Sequence, residues 1–261
     1  MAILADNHYN NLDKMIERFK NSFADETNLY YLSDVDIKGG CLGCLKCGPD
    51  NKCAYDKKDG LKTFFNDEIK TADIIVFAGK IRDRYLSSEW KTFLDRLFFN
   101  THQKTLIGKQ VGFLISGPLW QLPDLKENLT SYFEFQGANI VDFVSDEPSP
   151  DSIDNQVSGL AERLTIGSRL DYIKPATFRG IAGMKIFRDE IYGSLKVVFK
   201  ADHKNFKKTG LYDFPQRNFF GQMFSNVAYW VTSLKFIEKK MYADMPKFMI
   251  LNYRRAFSKK I

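Results

Sequence analysis

Ala72-Asp73-Ile74-Ile75-Val76-Phe77-Ala78 is a near-continuous apolar run interrupted by one carboxylate. It has the length and the β-branched content of a strand buried on both faces. Strand-like segments recur on either side of it. They lie at Ala2 to Ala5, Asn28 to Leu32, Gln110 to Ile115 and Asn139 to Val144. Between them, apolar residues return at helical spacing. Leu12, Met15, Ile16, Phe19 and Phe23 form one set, with Asn10 or Asn11 as the expected cap. Leu61, Phe64, Phe65 and Ile69 form a second, and Trp90, Phe93, Leu94 and Leu97 a third. Leu125, Leu129, Tyr132 and Phe133 form a fourth, and Ile153, Val157, Leu160 and Leu164 a fifth.

Five strands alternating with five helices predict an α/β fold, a five-stranded parallel sheet with helices on both faces. Right-handed crossovers gather the loops after the first, third and fourth strands at one sheet edge. Ligands bind at that carboxyl edge, where the strand order reverses. The loop after the second strand emerges from the same end.

That second loop holds Cys41, Cys44, Cys47 and Cys53, the only cysteines in the chain, spaced C-x2-C-x2-C-x5-C. Thiolates packed this closely suit a soft metal centre. A short loop with two-residue spacers wraps three corners of an iron–sulfur cluster, and the fourth thiolate follows. Gly39, Gly40, Gly43 and Gly48 supply backbone freedom. A tetrahedral zinc site and redox-active or inert thiols are the alternatives. Two disulfides are disfavoured, because nothing marks the chain as secreted.

The 261 residues are 44% apolar and 27% charged, ordinary values for a globular protein. A polar stretch follows Asp6 where a leader's apolar region would continue, and no window is apolar enough to cross a bilayer. A cytoplasmic, reducing location is the expectation. The formal charge of +6 is unevenly placed. Residues 171–261 hold 18 Lys and Arg against 7 Asp and Glu, whereas residues 1–170 are net acidic. Such asymmetry marks either a partner surface or a solvated basic face. No nucleic-acid-binding motif accompanies it.

The pattern changes after about residue 172. Lys174-Pro175 ends the last helix. Phe178 to Gly183 reads as strand or turn, Met184 to Tyr192 as a short helix and Leu195 to Phe199 as a strand. Phe214-Pro215 reads as a linker. Phe220, Met223, Phe224, Val227, Trp230, Val231, Leu234, Ile237 and Met241 then predict one amphipathic helix of about six turns. Its apolar stripe is expected to pack against its own domain or a dimer partner. Membrane-surface contact, backed by Lys239, Lys240, Lys247, Arg254 and Arg255, is the alternative. Two domains are expected, 1–172 with the cysteine loop at 39–53, and 173–261 as a basic, aromatic, α-rich extension. In Lys200-Ala201-Asp202-His203-Lys204, Asp202 stands beside His203 as a candidate orienting partner for a proton donor.

The strand at 72–78, the segment Lys80 to Ser88 and the run Lys91-Thr92-Phe93-Leu94-Asp95-Arg96 resemble the flavodoxin-like NAD(P)H-dependent FMN reductases. The cysteine motif, with Ser87 four residues before Lys91, is most similar to the iron–sulfur flavoprotein subgroup. The resemblance covers roughly residues 1–170. It implies a flavodoxin-like fold, FMN, and a [4Fe–4S] cluster on Cys41, Cys44, Cys47 and Cys53. It also implies electrons from NAD(P)H or a ferredoxin, a redox partner protein as a further contact, and homo-oligomers. The FMN phosphate is then expected near Asn7, His8, Asn10 and Asn11. The ring is expected near Gly79, Lys80, Ile81, Arg82, Arg84, Tyr85, Ser87, Ser116, Gly117 and Pro118. The chemistry is flavin-borne, so no catalytic side chain is singled out. The chain departs from the family pattern at three loops. Asp6 to Asn11 replaces a loop rich in Gly, Ser, Arg and Thr; Lys80-Ile81-Arg82 stands where Pro-Val-Tyr is usual; and Ser116-Gly117-Pro118 keeps part of a glycine-rich turn. A non-catalytic electron-transfer or assembly subunit, and a zinc- or thiol-stabilised structural module, are the alternative functions.

Overall fold

A computed structural model of the chain describes residues 1–23, 26–212 and 219–251. It divides into two compact units. The first comprises Met1–Gly40, Lys57–Arg96 and Lys104–Met184; the second comprises Cys41–Asp56, Leu97–Gln103 and Lys185–Ile261.

In the first unit the strands are β1 (Ala2–Ala5), β2 (Asn28–Tyr31), β3 (Ile74–Arg82), β4 (Tyr85–Leu86), β5 (Gln110–Ser116) and β6 (Asn139–Ser145). Five of them run parallel in the order β2-β1-β3-β5-β6, and β4 folds back antiparallel on β3. With that hairpin set aside, the order is the flavodoxin-like one, which reverses between β1 and β3. The fold is flavodoxin-like, with a helical C-terminal region.

Side-chain alternation along β3 divides the core. Ile74, Val76 and Ala78 face α1 (Asn10–Asn21) and α5 (Pro150–Arg169), in one cluster with Leu12, Phe19 and Leu160. Phe77 points to the opposite face. There it stacks on Phe133 of α4 (Pro123–Phe135), with centroids 4.5 Å apart, and meets Trp90 of α3 (Ser88–Arg96) edge-on. A Cβ on Gly112 would crowd Leu160 and Leu164, so α5 packs directly on the β5 backbone there. The short α2 (Leu61–Phe64) continues as a π-turn over Phe65–Ile69.

The third strand is longer than its apolar run. It extends to Arg82 and turns through Asp83, at φ 58°, into β4. Lys80 to Arg82 therefore belong to a hairpin and not to an open loop. Helix α1 is N-capped by Tyr9 instead of Asn10 or Asn11, which both lie inside it.

The C-terminal region is more helical than its sequence pattern suggests. Phe178 to Tyr192 is one helix, α6, where a strand or turn was expected over its first six residues. The glycine there answers a packing need: a Cβ on Gly180 would come within 2.7 Å of Glu134 Oε2. The stretch expected as a strand at Leu195 to Phe199 instead holds a 3-10 turn at Leu195–Val197, and the basic run is α7 (Lys200–Lys208). The single long helix expected over 220–241 is two, α8 (Phe219–Thr232) and α9 (Lys235–Met249). The break is built around Lys200, whose ammonium donates to the Thr232 carbonyl and to Glu238 Oε2, the latter at 2.9 Å. The segment around Phe214-Pro215, together with Arg254 and Arg255, lies outside the described residues.

Asp202 does not orient His203. Consecutive residues point about 100° apart on a helix, so Asp202 turns inward to His102, at 2.7 Å from Nδ1, and to Thr101 Oγ1. His203 instead meets Tyr212 Oη at 3.1 Å. Burial pushes the His203 pKa down to about 4, and the charges of Lys196 and Lys207 act in the same direction. The unfolded chain binds that proton near pH 6.5, while the folded chain refuses it until about 4. The stabilisation is therefore complete above about 6.5 and is lost as pH falls towards 4. Urea unfolding between pH 7 and 4 is expected to show this loss, with a smaller slope in His203→Gln.

Candidate functional site

A cleft of about 660 Å³ opens at the carboxyl edge of the sheet, and the switch in strand order lies on it. Tyr9, Asn10 and Asn11 reach it from the end of β1, Lys80 from β3, and Ser116, Gly117, Pro118 and Gln121 from the end of β5. Asp146 and Glu147 follow β6 and complete the lining. The volume falls in the range of small-molecule sites, roughly 300–1,000 Å³.

Two features favour an anion. The amides of the first turn of α1 meet no side-chain cap, so this end of the helix presents donors and a partial positive charge to the cleft. Beside it, Lys80 Nζ sits 4.3 Å from the centroid of the Tyr9 ring, and Arg82 Nη2 donates to Tyr9 Oη at 2.7 Å. The Arg82 pKa is raised by that bond.

Asp6, at the end of β1, is fully buried. Its carboxylate accepts from Ser87 Oγ at 2.8 Å, from the Asn7 amide at 3.1 Å and from the Lys80 amide at 3.3 Å. Burial raises its pKa, and these donors partly offset the shift. The charge is thus spent on tying β1 to β3 and to the start of α3, where Ser87 Oγ also accepts from the Trp90 amide.

Asp146 organises the opposite wall. Its Oδ2 accepts from Ser116 Oγ at 2.7 Å and Asn11 Nδ2 at 3.2 Å, and its Oδ1 from the Gly117 amide at 2.7 Å. Gly117 takes φ +119°, and a Cβ there would lie 2.9 Å from Ile81 Cβ, so only glycine fits. Glu147 Oε2 accepts from the Trp120 amide and Ser145 Oγ, both at 3.0 Å.

Of the residues expected to hold a cofactor, the structure brings Asn10, Asn11, Lys80, Ser116, Gly117 and Pro118 to one cleft. Arg82 joins them through Tyr9. Ser87, Gly79 and Ile81 are packed inside, with Gly79 directly under the Trp90 indole. His8 is exposed, its ring tilted at 41° against Tyr31, and lies 3.5 Å from Asp13. Arg84 is exposed at the hairpin turn, Tyr85 is half-buried, and Asn7 packs behind Asp6. Tyr9, Gln121, Asp146 and Glu147 line the cleft without having been expected there. The signal for the last two was positional, since they directly follow a strand that ends at the ligand edge.

The cysteine segment lies in the second unit. Cys41 is exposed, Cys44 and Cys53 are half-buried, and Cys47 is buried with its Sγ 3.5 Å from the Phe98 carbonyl. The turn is pinned by Asn51, which donates to the Phe99 carbonyl at 3.0 Å and accepts from Gln103 at 2.8 Å. The Ala201 amide donates to the Gly48 carbonyl, and any Cβ on Gly48 would strike the Val198 carbonyl. Burial raises the Cys47 pKa to about 12, and the neighbouring thiols Cys53, Cys41 and Cys44 push it the same way. The donor set has the soft chemistry of a thiolate-bound metal. Its side chains are not drawn together here: among the described residues, no three His, Cys, Asp or Glu side chains gather in a metal-holding group.

Both chain ends of this segment are fixed within the first unit. Arg96 donates to the Gly39 carbonyl at 2.7 Å and forms a fork with Asp59, at 2.9 and 3.1 Å. Their side chains are 3% and 2% exposed. The neighbouring Lys91–Asp95 pair is a solvent-facing i,i+4 contact.

No protein-family profile matches the chain, and no curated protein matches it by sequence. Among solved structures, azoreductase AzrA is 16% identical over 65% of this chain and 100% of its own, with a TM-score of 0.46. An azoreductase from Bacillus anthracis is 16% identical over 64% and 97%, at 0.44. A flavodoxin from Streptococcus pneumonia is 16% identical over 63% and 97%, at 0.43. Likenesses this distant carry no argument about chemistry, and the fold assignment rests on the chain's own strand order.

Removing one partner from the buried fork leaves an uncompensated charge. Arg96→Met is expected to cost about 3–5 kcal/mol in urea unfolding. It should also raise proteolysis within residues 41–56 more than elsewhere, as read by mass spectrometry of early fragments.

Proposed function

We propose that the first unit binds FMN in the cleft at the β1/β3 switch and that the chain is a flavin-dependent oxidoreductase. The observation that carries this is the uncapped α1 N-terminus opening into a cleft of ligand size at that edge. Bound there, FMN supplies the interconversion of two-electron and one-electron transfer. The chain's own residues bind and orient. The α1 amides and the Asn10 and Asn11 side chains hold the phosphate. Lys80 and Arg82 favour negative charge on the reduced ring. Asp146 fixes the Ser116–Gly117 turn on one wall of the cleft.

We further read the cysteine segment as the ligand loop of an iron–sulfur centre, a [4Fe–4S] cluster on Cys41, Cys44, Cys47 and Cys53. The four-thiol donor set on one short loop supports this. NAD(P)H or a ferredoxin is the proposed electron source and a redox protein the proposed acceptor. A second reading, an electron-transfer or assembly subunit without flavin, draws on Asp146. This carboxylate consumes the Gly117 amide, which would otherwise face the cleft.

An anaerobic absorbance spectrum with iron, zinc and released-flavin assays tests both centres. Stoichiometric FMN with about four irons per chain is expected. Iron without flavin would select the second reading, and zinc or no metal would remove the cluster. Lys80→Ala/Arg82→Ala is expected to weaken FMN binding about tenfold, read by quenching of flavin fluorescence. Cys44→Ser is expected to abolish bound iron while leaving FMN in place.

A further inference from the structure

Helix α8 is built inside out. Its inward face is polar: Ser225 is buried and donates to the Gly193 carbonyl, while Gln222 and Asn226 accept from the buried ammonium of Lys196 at 3.0 and 2.8 Å. Its outward face is apolar. Phe220, Phe224 and Trp230 are 77%, 75% and 73% exposed, and Met223, Val227 and Val231 share that face at i, i+3, i+4 and i+7 spacing. Leu234 and Phe236 carry the patch across the break into α9. A helix of a water-soluble unit turns its apolar stripe to the core, so this orientation needs an apolar phase outside. The expected packing of the stripe against its own domain is absent among the described residues.

We propose that α8 and the start of α9 lie on the surface of an anionic lipid bilayer. The apolar face would enter the headgroup–acyl boundary, and α9 lysines would contact the headgroups. Charge complementarity selects this occupant. Helix α8 carries no Asp, Glu, Lys, Arg or His, whereas α9 exposes Lys235, Lys239 and Lys240 beside its Lys247–Asp244 pair. Its two carboxylates are already engaged, Glu238 by Lys200 and Asp244 by Lys247. An aromatic, charge-free face flanked by cations matches an interfacial helix. A second copy of the chain would set the same lysines against each other around a two-fold interface. No helix of the described residues is long and apolar enough to cross a membrane, so the contact is in-plane.

Flotation of the full chain with vesicles tests the proposal. Phosphatidylcholine vesicles containing about one-third phosphatidylglycerol are compared with pure phosphatidylcholine. At about 0.1 M salt, at least tenfold more protein is expected on the anionic vesicles, with the excess lost at about 1 M as screening shortens to about 3 Å. In a Trp120→Phe background, Trp230 emission should shift to the blue on binding. Phe220→Ser/Phe224→Ser and Lys239→Glu/Lys240→Glu should each abolish flotation while leaving the melting temperature unchanged, since these side chains point outward. Equal binding to both vesicle types, or none, would overturn the proposal. So would dimers in sedimentation velocity that the serine variant dissociates, because a second copy would then be the occupant.

Discussion

The fork between Arg96 and Asp59 is the constraint on which the cysteine-bearing part of the chain depends. Burying a guanidinium and a carboxylate is costly unless both are paired and the remaining donors are used. Here the guanidinium also takes the Gly39 carbonyl, so one side chain at the end of α3 clamps the chain on both sides of residues 41–56. The segment itself has little regular structure and places Leu45 and Asn51 at positive φ. Within the second unit the segment is held by Phe98, Phe99, Gln103 and Ala201.

The same economy operates at the cleft. Three carboxylates, Asp6, Asp146 and Glu147, lie close to a site read as anion-binding, and each accepts hydrogen bonds from its surroundings. Asp6 is surrounded by donors from Asn7, Lys80 and Ser87, and Asp146 by donors from Asn11, Ser116 and Gly117. Each uses its acceptors to hold a strand end in place. The charge that faces the opening is left to Lys80, Arg82 and the α1 amides.

Periodicity made the sheet legible. The buried run at 72–78 and its four companions carry apolar alternation or continuity that only strands of a covered sheet need, and the helices between them repeat every three or four residues. The ligand edge followed from strand order, and the resemblance to the FMN reductases pointed to Asn10, Asn11, Lys80, Ser116, Gly117 and Pro118, which line the cleft there. Two things were hidden. Glycine marks both turns and close contacts: the stretch Phe178 to Gly183 reads as strand or turn, yet it is helical and its Gly180 packs against Glu134. The stop at Thr232 depends on Lys200, more than thirty residues away, and no local pattern in 219–249 encodes it. Asp202 makes the same point, since its partner His102 lies a hundred residues upstream and its neighbour His203 does not touch it.

The strand order also governs how the chain acquires its structure. The first strand, β1, is central and bonds along both edges, at Ala2 to Asn28 on one side and to Ile75 on the other. During synthesis from the N-terminus its second edge stays unpaired until β3 has emerged, and β3 in turn waits for β5. Parallel pairings of this sequence separation are slow to close and leave apolar strand edges open meanwhile. A folding chain in which only β1 and β2 have paired therefore holds one open apolar edge on β1 until β3 closes it.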